Sequence, residues 1–343
     1  MSQRTSAVVS GGAGWLGQNL VRALARDPDR KRIRCLVRDE RDAVLLEVVD
    51  PRIEVVVGDV RNPDALDRLF DGVDDSTVFH TAAVIHPERS VRELFDVNVG
   101  GTQLAVDRAR RTGVRRFVHV SSNSPFGTNA TPDDAFTEDS PFEPYLAYGR
   151  SKLEAEEVVQ RAAARGDLAT VIIRPPWFYG PFQPARQSQF FSAIRKGRFP
   201  LVGSGAQRRS MVYTENLVDG LLLAESVDAA VGRAYWIADA EPYALADILQ
   251  TVAEALVAEG LSVTPRASLR VPAAIAAAAE RADRAVQAGG RYVQAVHVLG
   301  ELRHTIACDI SRARVELGYE PKVALLEGMR ASIRWCLDRG LPI

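Results

Sequence analysis

Short apolar runs alternate with longer amphipathic stretches through the first half of the chain. The runs at 7–9, 33–37, 53–57, 77–80, 117–120 and 170–173 are rich in β-branched residues and bounded by Gly, Asp, Ser or Pro, which predicts buried strands. Between them, residues 16–26, 64–70, 91–111 and 148–165 have amphipathic helical periodicity. That alternation predicts right-handed βαβ units, hence an α/β fold: a Rossmann-type doubly wound parallel sheet covered on both faces. After Arg174 the rhythm loosens. Pro175, Pro176, Pro181 and Pro184 mark a loop, and helices are expected over 188–196, from Thr214, and over 244–259, 273–288 and 324–339, with a strand at 234–237. The 273–288 stretch is Ala-rich and helical by propensity. Residues 128–144, rich in Asn, Pro, Asp and Ser, read as a surface loop bordering a site.

Composition narrows the classes. A chain of 343 residues buries enough surface to fold without disulfides or a structural metal. The 43 basic residues nearly balance 44 acidic ones, which argues against a nucleic-acid partner. Cys35, Cys308 and Cys336 are far apart with no CxxC pair, so neither a disulfide framework nor a zinc site is expected. The stretch MSQRTSAVVSGGAG lacks a secretory apolar core, and the run 271–279 is too short to cross a bilayer. The expectation is a cytoplasmic protein with no membrane span.

The first apolar run is followed by Gly11, Gly14 and Gly17, three apart, with Trp15 and Leu16 between the last two. Glycine there allows a tight turn, lets backbone N–H groups approach a pyrophosphate and lets the helix pack closely, which predicts dinucleotide binding. The second strand ends on Arg38, followed by Asp39. A guanidinium suits the 2′-phosphate of NADP, whereas an acidic side chain suits the ribose of NAD, so NADP is favoured with NAD as the alternative. Asp59 and Val60 close the third strand, where adenine would lie, and Ala82 follows the fourth, where a small residue lets the cofactor rest on backbone. His80 and His86 lack a third ligand at useful spacing, so they read as structural and no metal is expected.

Tyr148 and Lys152 lie four apart, on one face of a helix. The chain has eight tyrosines and only Lys31, Lys152, Lys196 and Lys322, so the pairing is hard to ascribe to chance. An adjacent ammonium is expected to lower the phenol toward the range of acid–base work. Ser121 and Ser122 end the fifth strand at the sheet's carboxyl edge, where a hydroxyl can hold a substrate oxygen. A serine nucleophile would need a G-x-S-x-G elbow, which the sequence lacks.

Taken in order, these residues resemble the extended short-chain dehydrogenase/reductase superfamily over nearly the whole chain. Asn98-Val99-Gly100-Gly101-Thr102 is similar to its N-V-x-G-T motif, and the segment from Arg174 to Pro181 to its R-P-x-x-x-Y-G-P motif. The resemblance implies that Tyr148 is the acid/base, that Ser122 positions the substrate oxygen and that Lys152 holds the nicotinamide ribose. It implies a small-molecule substrate and a homodimer through the two long helices. Two branches fit. The sequence from Met211 to Asn216 and the insert at 272–300 resemble 3β-hydroxysteroid dehydrogenases, in which the Ala-rich helix would be an apolar wall or simple packing. In nucleotide-sugar epimerases, Arg209 would hold a diphosphate, but Trp177 stands where that branch has asparagine. Asn123 and Ser124, candidate substrate contacts, replace the dehydratase Asp-Glu pair. Hydride exchange with an alcohol or ketone is therefore the leading expectation, epimerisation the alternative, and a cofactor-binding regulatory protein that has lost its chemistry a third reading. Residues 1–174 are expected to form the dinucleotide-binding domain, with 207–240 returning to it, and 175–206 with 241–343 a smaller substrate-binding region.

Overall fold

The computed structural model describes residues 6–88, 90–265 and 268–343, so the first five residues of the amino-terminal stretch read above lie outside it. The β-branched runs become β1 (Ser6–Ser10), β2 (Arg32–Val37), β3 (Ile53–Val57), β4 (Thr77–His80), β5 (Arg116–Val120) and β6 (Thr170–Arg174). They lie side by side in the order β3-β2-β1-β4-β5-β6, and the strand Ala234–Trp236 adds outside β6. Every pairing is parallel. Strand order reverses between β1 and β4, which opens a crevice at the carboxyl edge where such sheets bind ligands.

Adjacent strand residues point to opposite faces. Val8 and Phe117 enter one core with Leu66, Leu69, Phe70, Val106 and Val159, while Val9 and Val118 enter the other with Leu20, Val21, Leu217 and Trp236. The helices carrying these residues begin with α1 (Trp15–Arg26), α2 (Glu40–Glu47) and α3 (Pro63–Phe70). Asn62 caps α3 by accepting from Asp64 N and Ala65 N, and proline opens its first turn.

The region expected as one helix over 91–111 is interrupted. A short α4 (Arg92–Leu94) runs into a π-helical turn at Phe95–Gly101 before α5 (Thr102–Thr112). The wide turn carries Asn98 inward, where Oδ1 accepts from Val84 N at 2.8 Å and Nδ2 donates to Val84 O at 2.9 Å and Ser151 Oγ at 3.0 Å. Asn98 thus pins the segment after β4 to α6 (Leu146–Ala164), the helix that carries Tyr148 and Lys152.

The remaining chain builds a second core. Trp177–Tyr179 pairs with Met211–Tyr213, and Pro200–Val202 with Leu269–Val271. Phe190, Phe191, Ile248, Val252, Leu256, Met329 and Ile333 pack around them. A helix at Gln294–Glu301, not resolved in the sequence pattern, folds back on the Ala-rich helix Ala273–Ala288. Cys35, Cys308 and Cys336 are free and buried. Among the described residues, no helix is long and apolar enough to cross a membrane.

Candidate functional site

The glycine turn lies at the strand-order reversal. Gly11 adopts φ +77°, and a Cβ there would come within 2.9 Å of the Ala82 backbone across the crevice. Gly14 caps α1 without any side-chain hydrogen bond, so no side chain competes for the helix's amino end. A Cβ on Gly17 would lie 2.1 Å from the Gly11 carbonyl oxygen, so this approach of helix to turn admits only glycine. A turn without side chains beneath an uncapped helix start fits a dinucleotide pyrophosphate. The side chains beside it serve packing. Leu16 is buried in the core, and Trp15 Nε1 donates to Gly180 O at 3.2 Å and Pro181 O at 2.9 Å, tying α1 to the loop after Trp177–Tyr179.

At the neighbouring strand ends, Arg38 is exposed, while Asp39 caps α2 by accepting from Asp42 N at 3.0 Å. Asp59 forms a two-point pair with Arg61, with contacts of 2.8 and 2.7 Å. Arg61 holds the Asp59 carboxyl below its usual range, and Arg38 adds to that field, so Arg38 and Asp59 share one edge of the crevice. The Val60 side chain is buried, and a Cβ on Gly101 would lie 2.7 Å from its Cγ1.

Ser122 and Tyr148 meet at the carboxyl end of β5. Burial pushes the Tyr148 phenol up to about 12, against a hydrogen-bonding contact from Ser122 and the field of Arg186. The lowering expected from Lys152 is therefore not the balance in this structure. Lys152 is buried, its Nζ donates to Val120 O at 2.8 Å, and burial brings it down to about 8 with Glu156 opposing. Glu156 is itself held by Arg174, whose Nη2 donates to it at 2.7 Å. Ser122 Oγ lies 3.3 Å from both Asn123 Oδ1 and Ser124 Oγ, a local hydroxyl–amide cluster. The Ser121 hydroxyl is buried without a partner.

The other expected substrate contacts lie elsewhere in the wall. The Arg209 guanidinium is buried against Glu301, with Nη1 at 3.3 Å from its carboxylate, and Trp177 packs edge-on against Phe190. His80 is fixed by Ser10 Oγ at 2.8 Å and Thr102 Oγ1 at 3.0 Å. Among the described residues, no group of three or more His, Cys, Asp or Glu could hold a metal ion. Sequence reasoning missed Arg186, whose charge acts on Tyr148, and it missed Tyr145, three residues earlier on the same segment.

The family model described as "NAD dependent epimerase/dehydratase family" matches residues 7–238. The chain is 41% identical over 343 residues to the "Uncharacterized protein y4nL" of Sinorhizobium fredii, covering 97% of this chain and 95% of that one. It is 34% identical over 264 residues to the 3 beta-hydroxysteroid dehydrogenase/Delta 5-->4-isomerase of Mycobacterium tuberculosis, covering 72% and 68%. Among solved structures, the dTDP-glucose 4,6-dehydratase DesIV of Streptomyces venezuelae, with NAD bound, superposes with a TM-score of 0.77 and 25% identity over 98% of both chains. The family match spans more than half of the chain and runs through the glycine turn, the β5 serines and the α6 tyrosine, so the chain belongs to the NAD dependent epimerase/dehydratase family, enzymes of the extended short-chain dehydrogenase/reductase type.

Proposed function

We propose that this enzyme transfers hydride between NADP(H) and a ring alcohol or ketone, with Ser122, Tyr148 and Lys152 handling the proton. The observation that carries this reading is the meeting of the Ser122 and Tyr148 hydroxyls at the sheet edge that also holds the glycine turn. The backbone at Gly11, Gly14, Trp15, Leu16 and Gly17 would hold the pyrophosphate, Arg38 the 2′-phosphate, and Asp59, Val60 and Ala82 the adenosine side. Lys152 and Tyr148 would meet the nicotinamide ribose.

A bound nicotinamide dinucleotide supplies or accepts the hydride. Ser122 and Tyr148 hold the substrate oxygen, and preorganised donors of this kind stabilise the charge that builds on it. A phenol raised to about 12 stays protonated at neutral pH and is therefore poised as an acid. An alkoxide is a stronger base than that phenolate, so the proton passes from Tyr148 to the new alcohol. The buried Lys152 ammonium then lies one helical turn away from the phenolate. The substrate class follows the relative from Mycobacterium tuberculosis, whose name specifies a 3β-hydroxysteroid. A homodimer through α5 and α6 belongs to the same proposal.

The likeness to an NAD-bound dehydratase supports a second reading, nucleotide-sugar epimerisation with retained NAD. One feature favours ketone reduction instead: Arg209 is tied to Glu301, while Asn123 and Ser124, which offer no carboxylate after Ser122, argue only against dehydration. The cofactor half is tested by Arg38→Ala. Loss of a charge-assisted phosphate contact should weaken NADPH by about tenfold to a hundredfold and leave NADH nearly unchanged in fluorescence titration. Equal weakening of both, or of neither, would remove Arg38 from the 2′-phosphate.

A further inference from the structure

The helix pair Ala273–Ala288 and Gln294–Glu301 stands where an apolar wall was one expectation, yet three of its buried residues are polar. Asp283 is 0% exposed, Gln287 6% and His297 8%. Asp283 Oδ2 lies 2.8 Å from His297 Nδ1, and Gln287 Nε2 donates to both Asp283 oxygens at 3.0 and 3.1 Å. Gln287 Oε1 accepts from Ala147 N at 3.2 Å. Ala147 precedes Tyr148, so the wall is hydrogen-bonded into the first turn of the catalytic helix. Leu146, the next residue back, is held in the left-handed region at φ 53°, a conformation that needs such support from its surroundings.

A clamp on the first turn of α6 needs only Gln287. Asp283 and His297 continue beyond it. The carboxylate fixes the imidazole by its Nδ1 and leaves Nε2 on the far edge of the ring. The ring lies between Tyr145 and Tyr292, with centroids at 5.6 and 5.4 Å, and Tyr292 Oη is 2.5 Å from His86 Nδ1. Among the described residues of this cluster, one buried hydroxyl is orphaned and a ring nitrogen makes no hydrogen bond. The Tyr145 hydroxyl is buried with no partner, and the side-chain hydrogen bonds of His297 all involve Nδ1. Buried polar groups are almost always satisfied, so the orphaned Tyr145 hydroxyl, on a ring adjoining the unbonded His297 Nε2, marks a place for a ligand atom. Burial disfavours the charged imidazole, but Asp283 and Glu301 outweigh it and raise His297, which favours a donor at Nε2. The Glu301 charge also acts on Tyr145 and on Tyr148, and Tyr145 lies three residues before Tyr148.

We propose that His297, oriented by Asp283, and Tyr145 form a hydrogen-bonding subsite for a second oxygen of the substrate. The favoured substrate is then a ring diketone or hydroxyketone rather than a compound oxygenated only at the reacting carbon. This inference rests on the ketone-reductase reading above. A site built to hydrogen-bond an oxygen discriminates strongly against the analogue that lacks it, because its own polar groups are then left unpaired.

The test uses the full chain with NADPH and two probes of one skeleton, androstanedione and androstanone. The wild type should show a kcat/KM for the diketone higher by about tenfold or more. His297→Phe should bring that ratio close to one, and His297→Gln, which keeps a donor, should restore part of it. Tyr145→Phe should lower the ratio as well, which keeps the test decisive if His297→Phe does not fold. A wild-type ratio near one, or an equal fall with both ketones in the variants, would overturn the subsite while leaving the reductase reading in place. NADPH consumption with neither ketone would overturn both.

Discussion

Tyr148→Phe is expected to lower turnover by about a hundredfold to ten-thousandfold, the range typical of a lost general acid, while NADPH binding changes little. The substitution removes one oxygen and keeps the ring, so the packing at the start of α6 is preserved. What disappears is the proton of a phenol pushed up to about 12, acidic toward an alkoxide and retained at neutral pH. Ser122 would remain to hold the oxygen. Single-turnover kinetics with a reducible ketone, alongside cofactor fluorescence, separates the two effects. A variant that turns over near the normal rate would remove Tyr148 from the chemistry, and one that also loses NADPH would point to a structural role.

Gly17→Ala should be nearly as damaging through a different route. The new methyl would sit 2.1 Å from the Gly11 carbonyl oxygen and 2.8 Å from that of Gly12, both of them backbone atoms. Neither can swing aside as a side chain could, so the turn must move away from α1. Overpacking of this kind costs about 1–3 kcal/mol of stability. The displaced turn would also lose its hydrogen bonds to the pyrophosphate, which lowers cofactor affinity by about a hundredfold or more at about 1.5–3 kcal/mol each. Thermal denaturation without ligand and NADPH titration report the two losses separately. Unchanged affinity in a folded Gly17→Ala protein would mean that no dinucleotide uses this turn.

The sheet was legible because each strand is a short β-branched run with turn residues at both ends, a pattern that local sequence carries by itself. The relation of Tyr148 to Lys152 was legible for the same reason, since a spacing of four fixes a shared helix face. Their electrostatics were not. Whether an ammonium acts on a phenol depends on where its Nζ points, and here Nζ turns to Val120 O, a partner 32 positions away. The break in the 91–111 helix also escaped, because a π-helical turn keeps the same composition and is set by what Asn98 reaches. Arg209 looked free for a diphosphate because Glu301, its partner, lies 92 positions along the chain. The Asp283–His297 pair depends on a second helix folding back upon the first, a packing event with no local signature.

The central claim is net hydride transfer to a substrate carbonyl, and isotopic labelling tests it most directly. The protein is mixed with NADPH carrying deuterium at the transferable position of the nicotinamide and with a ring ketone, and the recovered alcohol is weighed by mass spectrometry. The account predicts one deuterium, bound to the carbinol carbon, and an equivalent amount of oxidised cofactor. Unlabelled alcohol, or cofactor returned in its original form beside an isomerised sugar nucleotide, would contradict it.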